Sequence, residues 1–553
     1  MNLPFQDFLH RHEKLIYGLF SLLMGVLILL HVSNYQALLS QGDHGRDLYA
    51  FERALKGDLP YQDYWWVYGP LMPYYYGFFM LVFGASLQSV LIGKIILILA
   101  SSIFFYLTIC LFAPPLMAFL ATGWLFLFNP DFFFTYNHTA GFTLIFAIIF
   151  LLCRYLKDQE PRWLLYLGIS LFTLCLIKIN FGVFALAGSV LSVLVIDKTL
   201  VPAKSRSKHP YFYPLTLIGL PLVTFGIYYG LLHPMPLYAV RQCLPYLAED
   251  HPYNSPLWIS FLNIARSILD NMGASLPNLF FAFLVLLSLG QIVFLVFKKG
   301  PLRGPQNALP AWITRRHIMV LFGVFSLFYM LFLHEYLASG VLYRSFWAKP
   351  FCLALMFITI ALGTANLTRS IRSLLHVTLA VIITLTAVNT LRAVTRAKTP
   401  WQFIPLKKAR IYVGNTPAWI ATVFHTTRYL QTQLSEDETF FAAPYDALYY
   451  FLTGKKSPTR QLIFFEHINI PPQQEQKIIK ELEAQKVNWV VLSSRGQAAE
   501  PGLGTWGATY CPLLAEYVKD HFVLQAQIGD WVNEPLWAQH HGTKIYRRKD
   551  PLE

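Results

Sequence analysis

Charged side chains are scarce in this chain. Asp, Glu, Lys and Arg make up 13% of its 553 residues, where soluble domains carry about 25%. That shortage excludes an ordinary soluble protein and points to a chain built for lipid. Acids are the scarcer sign: 30 Asp and Glu stand against 44 Lys and Arg, a formal charge of +14. The excess does not signal nucleic acid, because the basic residues concentrate in short loops between apolar runs, where they set membrane orientation. Cysteine is limited to six residues with no metal-binding spacing. Cys110, Cys153, Cys175 and Cys352 lie in apolar runs and read as small packing residues. Cys243 and Cys511 fall in predicted outer segments, where a disulfide is open but unsupported. The chain also lacks a glycine-rich phosphate loop, a zinc spacing, a nucleophile elbow and a clear internal repeat. No small-x-small cleavage site follows the first apolar run, which Arg11, His12 and Lys14 precede. It reads as an uncleaved first span with a cytoplasmic N-terminus.

Apolar residues are abundant, at 55%, and aromatics reach 16%, as several membrane interfaces with Trp and Tyr belts require. A span needs roughly 20 apolar residues. About eleven segments qualify, several of them short: Leu15–Leu38, Leu87–Phe112, Pro115–Phe128, Thr139–Cys153, Trp163–Lys178, Phe181–Ile196, Pro214–Leu232, Ser275–Phe297, His317–Leu333, Phe346–Gly363 and Leu374–Leu391. With the N-terminus inside, the cytoplasmic loops are Arg154–Arg162, Asp197–His209, Lys298–Arg316 and Thr364–Arg372, each rich in Lys or Arg. The outer loops are richer in acid and aromatic residues, so the positive-inside rule is met. The segment Pro70–Phe83 is too short for a comfortable span and is framed by prolines; it reads as an interfacial or re-entrant helix. An odd span count leaves the C-terminal region outside.

These boundaries divide the chain into a transmembrane module over 1–391, with a first outer loop at 39–86, and an extracytoplasmic domain over 392–553. Arg392–Trp401 is a basic, Pro-containing exit and Thr416–Leu434 is helix-like. Strand-like runs at Thr439–Ala443, Gln461–Phe465 and Val487–Ser493 alternate with helix-like Tyr445–Leu452 and Pro472–Gln485. In the last of these, Ile478, Ile479 and Leu482 share a face. Strand-like Phe522–Ile528 and Thr543–Arg547 follow, so a small α/β layer domain is expected.

The first outer loop carries the densest chemistry. Asp43, Asp47, Asp58 and Asp63 lie beside Tyr49, Tyr61, Trp65, Trp66 and Tyr68. Carboxylates at an apolar interface are costly unless paired or used. Asp43 and Asp47 share one face if a helix starts here, and its N-terminus favours both anions. The plain alternative is that Asp43 caps the helix and the other aspartates are solvated.

The pattern Asp43-His44-Gly-x-x-x-Tyr49…Gly57-x-x-Pro60-Tyr61-x-Asp63…Pro70 resembles the first outer loop of GT-C-fold glycosyltransferases, such as the protein O-mannosyltransferases and the aminoarabinose transferases of lipid A. Weaker echoes are Lys178-Ile-Asn180-Phe-Gly182 and Pro444-Tyr-Asp446…Tyr450-Phe-Leu-Thr-Gly454…Arg460. Many such proteins carry Asp-Glu where this chain has Asp43-His44, so a role for a second carboxylate does not transfer. The resemblance implies a bacterial inner-membrane enzyme taking sugar from a polyprenyl phosphate, with its site on the outer face and a glycan, lipid or protein as acceptor.

A weakly nucleophilic acceptor hydroxyl gains from a carboxylate base, and the leaving phosphate needs cations. Asp43 is the expected base and Asp47 the second choice. Lys94, Lys178, Arg241 and Arg344 are the candidates for the phosphate. An intramembrane lysine such as Lys94 is a functional candidate by default, though it also snorkels readily. His44, Tyr49, Tyr61, Asp63, Asn137, His138, His334 and Glu335 are candidates for acceptor contacts. A divalent metal at His138 and His334-Glu335 is an open alternative to plain interfacial hydrogen bonding, and no cofactor is otherwise indicated. Rival readings are a transporter or lipid flippase, which would place ionisable groups near mid-membrane between repeats, and a non-catalytic assembly factor. The orientation is directly testable: a reporter fused after Glu553 is expected to be active only in the outer compartment, and cytoplasmic activity would overturn both the topology and the site placed on it.

Overall fold

The structure, a computed structural model, describes residues 4–31, 42–128, 136–200, 276–297, 310–339, 347–365, 367–398, 402–413, 418–494, 503–531 and 542–550, with isolated positions at 219, 223 and 262. The predicted span Pro214–Leu232 falls almost wholly outside them, as does Cys243. The helices are α1 (Pro4–His31), α2 (Asp43–Leu55), α3 (Leu71–Phe83), α4 (Leu87–Ile109), α5 (Pro115–Phe128), α6 (Tyr136–Asp158), α7 (Pro161–Ile177), α8 (Ile179–Leu200), α9 (Leu276–Phe297), α10 (Arg315–Phe332), α11 (His334–Ser339), α12 (Lys349–Thr364) and α13 (Arg369–Lys398). Then come β1 (Gln402–Leu406), β2 (Ala409–Val413), α14 (Ala418–Gln433), β3 (Phe440–Ala443), α15 (Ala447–Thr453), α16 (Pro472–Ala484), β4 (Trp489–Ser493), α17 (Pro512–His521), β5 (Phe522–Gly529) and β6 (Gly542–Arg548).

Among the described residues, six helical segments are long and apolar enough to cross a membrane: His12–Leu29, Leu87–Ile109, Tyr136–Asp158, Ile179–Leu200, Arg315–Phe332 and Arg369–Asn389. Shorter apolar helices lie at Leu71–Phe83, Pro115–Phe126, Pro161–Ile177 and Pro350–Thr364. The chain is thus a helical membrane protein with a small C-terminal mixed sheet.

Contacts divide it into two units: Met1–Val32, Ile95–Leu231 and Ser255–Ala393 form the first, and Ser33–Lys94, Leu232–Asn254 and Val394–Glu553 the second. The first unit is helical. Its most enclosed element is α6, which packs on α7 and α8. Pro161 starts α7, where the missing N–H costs nothing. At the far end Lys178 leaves the helix in an extended conformation, φ −149° and ψ 105°, and α8 begins at the next residue. The abrupt reversal brings Gly182 against Cys175, where a Cβ would lie 2.7 Å from the Cys175 Cα. At the α6–α7 turn Arg154 pairs with Asp158 at 2.6 Å and lies 4.5 Å from the Trp163 ring centroid.

The second unit joins the first outer loop to the C-terminal segment. α2 lies on α3 and on α15. α3 is 13 residues long, about 20 Å at 1.5 Å per residue, short of a hydrocarbon core of about 30 Å. It buries Met72, Tyr76, Gly77 and Met80 and leaves Tyr74, Phe78 and Leu81 exposed. That two-sidedness suits a helix lying at an interface. Phe51 of α2 stacks on Tyr76 at 4.7 Å.

The sheet runs β3-β4-β6-β5, parallel between β3 and β4 and antiparallel elsewhere. α16 buries Glu475, Ile478 and Leu482, with Ile479 at the margin. Two sequence expectations need correction, and one element was not foreseen. Gln461–Phe465 is no strand: its backbone turns to Pro444 through the Phe464 N–H, and Gln461 and Thr459 bond carbonyls within the segment. The last apolar helix runs on to Lys398 instead of ending at Leu391, because Arg392–Lys398 holds no residue that stops a helix. Directly after it, β1 and β2 form a hairpin that periodicity did not indicate. Cys511 is buried and donates to the Phe464 carbonyl oxygen at 3.8 Å.

The hairpin and the C-terminal elements grip the first loop. Lys408 reaches Glu52 at 2.7 Å and its carbonyl accepts from the Leu87 N–H; the Trp65 N–H bonds the Arg460 carbonyl, and the Ser457 N–H the Tyr49 hydroxyl. The tightest approach is at Gly45, where a Cβ would lie 2.7 Å from the Leu448 backbone nitrogen. Backbone does not give way, and overpacking costs about 1–3 kcal/mol. Gly45→Ala is therefore expected to lower the thermal unfolding temperature of the purified protein and speed proteolysis of its C-terminal segment; a wild-type melt would contradict this packing.

A candidate active site around a buried arginine

α2 starts without help from Asp43. Its N-cap is Gly42, which makes no side-chain cap, and the Gly42 carbonyl accepts from the Arg46 N–H at 3.0 Å. The capping explanation of Asp43 therefore fails. Its carboxylate points sideways: Oδ1 accepts from the Tyr445 hydroxyl at 2.7 Å and lies 3.3 Å from the Arg46 guanidinium. Arg46 also donates through Nε and Nη2 to Asp47 Oδ1, at 2.9 and 2.7 Å. Its face is covered by Tyr68 and Trp66, with ring centroids 4.9 and 5.7 Å away.

The two acids differ in access. The Asp47 side chain is 1% exposed and the Asp43 side chain 34%. Burial works against the charge on Arg46, but Asp47, Tyr445, Tyr68 and Asp43 outweigh it and raise its pKa further. Burial likewise raises Tyr445 above the ordinary phenol value, opposed by Arg46 and reinforced by Asp43. Tyr445 accordingly stays protonated and donates. The cluster thus presents one oriented, partly accessible carboxylate beside a sealed ion pair.

The other residues singled out in this loop hold its shape. Tyr61, at φ 69°, donates to the Tyr68 carbonyl. Asp63 accepts from the Leu59 N–H at 2.8 Å, and Asp58 pairs with Arg53 and Lys456. The Tyr49 hydroxyl meets Ser457, and burial raises its pKa to about 12. His44 is buried on α2. Lys94 is buried in the second turn of α4.

A second polar cluster lies in the helical unit. Lys178 Nζ donates to His138 Nε2 at 2.8 Å and sits 4.1 and 4.5 Å from the Phe181 and Trp347 ring centroids. His138 stacks on Trp347 at 4.1 Å. Asn180 Nδ2 donates to His334 Nε2 at 3.1 Å; His334 Nδ1 bonds the Leu331 carbonyl at 2.8 Å, and its ring stacks on Phe184. Among the described residues no group of three His, Cys, Asp or Glu is placed to hold a metal ion. Asn137 is fully buried beside His138. Arg241 and Arg344 lie outside the described residues, as does the side chain of Glu335.

No family model and no curated protein sequence matches the chain. Among solved structures, ArnT from Cupriavidus metallidurans bound to undecaprenyl phosphate superposes with a TM-score of 0.54 at 11% identity, over 96% of this chain and 97% of that one. The chain has an ArnT-like fold. The apo form of the same protein gives a TM-score of 0.41 over the same shares at 11% identity, and the mycobacterial arabinofuranosyltransferase AftD gives 0.42 at 13% identity, over 98% of this chain and 40% of that one. The ArnT-like fold covers both units.

Sequence reasoning missed Arg46, Tyr68, Tyr445 and Trp347. Arg46 was visible as the i+3 neighbour of Asp43, and Tyr445 lay within the weaker Pro444-Tyr-Asp446 motif. Asp47→Asn tests the division of labour between the acids. Breaking a buried pair costs about 3–5 kcal/mol, so this variant is expected to lose far more thermal stability than Asp43→Asn; equal losses would refute the assignment of Asp47 to the frame.

Proposed function

We propose that this protein is a GT-C-type glycosyltransferase of a bacterial inner membrane. It moves a sugar from a polyprenyl phosphate to a glycan, lipid or protein hydroxyl on the outer face. In this reading about eleven segments cross the bilayer, 1–391 forms the transmembrane module, 392–553 lies outside, and the first outer loop carries the base. The observation that carries the reading is the state of Asp43: fixed by Arg46 and Tyr445, released from helix capping, and one-third exposed. The fold shared with ArnT, a protein seen with undecaprenyl phosphate, supports the donor class.

The chemistry follows from the groups available. Asp43 takes the proton of the acceptor hydroxyl as its oxygen attacks the anomeric carbon. The bond from that carbon to the phosphate oxygen breaks, and the electron pair leaves on the polyprenyl phosphate. Cations must meet the charge that gathers there. Lys178, in its cage of aromatic rings and histidine, is assigned that role, with Lys94, Arg241 and Arg344 as further candidates. His44, Tyr49, Tyr61, Asp63, Asn137, His138, His334 and Glu335 shape the surroundings of the acceptor and donor.

The experiment uses purified protein in nanodiscs with a panel of undecaprenyl phosphate-linked monosaccharides, reading release of undecaprenyl phosphate. Asp43→Asn keeps shape and most hydrogen bonds, and is expected to lose roughly a hundredfold or more in rate, the scale of a general base, while remaining monodisperse. Lys178→Ala is expected to weaken binding of the same donors. Near-normal release by Asp43→Asn would remove Asp43 as base.

A further inference from the structure

The carboxylate assigned as base is held by a residue from the far end of the chain. Tyr445 lies between β3 and α15, 402 positions beyond Asp43, and its hydroxyl donates to Asp43 Oδ1 at 2.7 Å. Tyr445 is itself fixed. The next residue, Asp446, is buried and accepts from the Ser493 hydroxyl at the end of β4 at 2.6 Å. The Tyr445 ring meets Phe465 edge-on at 5.9 Å. One turn further, Leu448 abuts Gly45 of α2, next to the acid-bearing turn.

Asp43 Oδ1 thus meets groups from two elements, an ion pair with Arg46 of its own helix and a hydrogen bond from Tyr445 of the C-terminal segment. We infer that Tyr445 is a positioning residue: its hydroxyl fixes the Asp43 carboxylate and favours the ionised form, so the C-terminal segment takes part in the reaction's proton transfer. This rests on the reading of Asp43 as base.

Among the described residues, the charged and titratable groups near Asp43 include His44, Arg46 and Asp47 on α2, Tyr68 ahead of α3, and Tyr445. Arg46 and Tyr445 favour the anion, whereas Asp47 disfavours it. A hydrogen bond donated to a carboxylate stabilises the charged form and lowers its pKa. Removing the Tyr445 hydroxyl therefore raises the pKa of Asp43, and the base is protonated over a wider acid range. Hydrogen bonds to charged groups are strong enough to move a titration by about one pH unit, tenfold in proton affinity.

The test is Tyr445→Phe, which removes one oxygen and keeps the ring. The first readout needs no activity. A water-soluble carbodiimide with glycine ethyl ester labels protonated carboxyls, and mass spectrometry of the full-length protein in detergent reports labelling of Asp43 against pH. The midpoint is expected to rise by about one unit in Tyr445→Phe. The second readout is the pH profile of undecaprenyl phosphate release, whose acid limb is expected to move up by the same amount with KM for the donor unchanged. In a double-mutant cycle, the thermal losses of Tyr445→Phe and Asp43→Asn are expected to be less than additive, a measure that stands even if Tyr445→Phe melts early.

An unmoved labelling midpoint and additive losses, with Asp43→Asn inactive, would overturn the role of Tyr445 and leave the base in place. An active Asp43→Asn would overturn the base and this role with it.

Discussion

The loop after the first helix is organised by one buried positive charge. Arg46 is 3% exposed, and taking a guanidinium out of water costs several kcal/mol unless its donors are met. Here Asp47 takes two of them, Asp43 lies against a third, and Tyr68 and Trp66 cover the planar face. Arginine suits this place because its fork can serve two carboxylates while its face stacks on rings. Two of the aromatic residues that crowd this loop, Trp66 and Tyr68, are thereby explained as walls for a cation. Removing water from around the pair also strengthens every interaction inside it.

The same constraint separates the two acids of α2. A carboxylate committed to a sealed ion pair cannot accept a substrate proton without breaking that pair. A carboxylate that is oriented by the pair but open on one side can. Asp47 is sealed in its pair with Arg46 and Asp43 is one-third exposed, although they stand one helical turn apart. The helical unit treats its basic groups differently. Lys178 is set among rings and against a histidine acceptor, and His334 is hydrogen-bonded through both ring nitrogens, to Asn180 and to the Leu331 carbonyl. Cation–π contact with Phe181 and Trp347 offsets part of the cost of burying the Lys178 ammonium.

The sequence was legible where local pattern decides structure. Apolar run length located the helices from α4 to α8 to within a few residues, and Pro161 marked the start of α7. Strand-like composition located β3, β4, β5 and β6. It failed at Gln461–Phe465, where strand-like composition serves a buried irregular segment whose side chains bond its own carbonyls. It failed too at the β1–β2 hairpin, which is short, basic and interrupted by Pro405. Asp43 was legible as a special residue from its motif. Its partners were not, since Tyr445 is brought to it only by the tertiary fold. The aspartates at 58 and 63 looked equivalent to Asp43 by composition; only geometry distinguishes acids that tie turns from one that faces outward.

The join between α2 and the segment around Tyr445 and Leu448 has a consequence for biosynthesis. The two halves of this contact are separated by 402 residues, and a ribosome adds about 5–20 residues per second. The first loop therefore reaches its side of the membrane tens of seconds before the strands that complete it exist. Over that interval Asp43 lacks its Tyr445 donor, and the notch at Gly45 lacks Leu448. The loop must wait for its C-terminal partners, with only its internal pairs Arg46–Asp47 and Arg53–Asp58 to hold it. Its surplus of charge over the rest of the sequence equips it to wait.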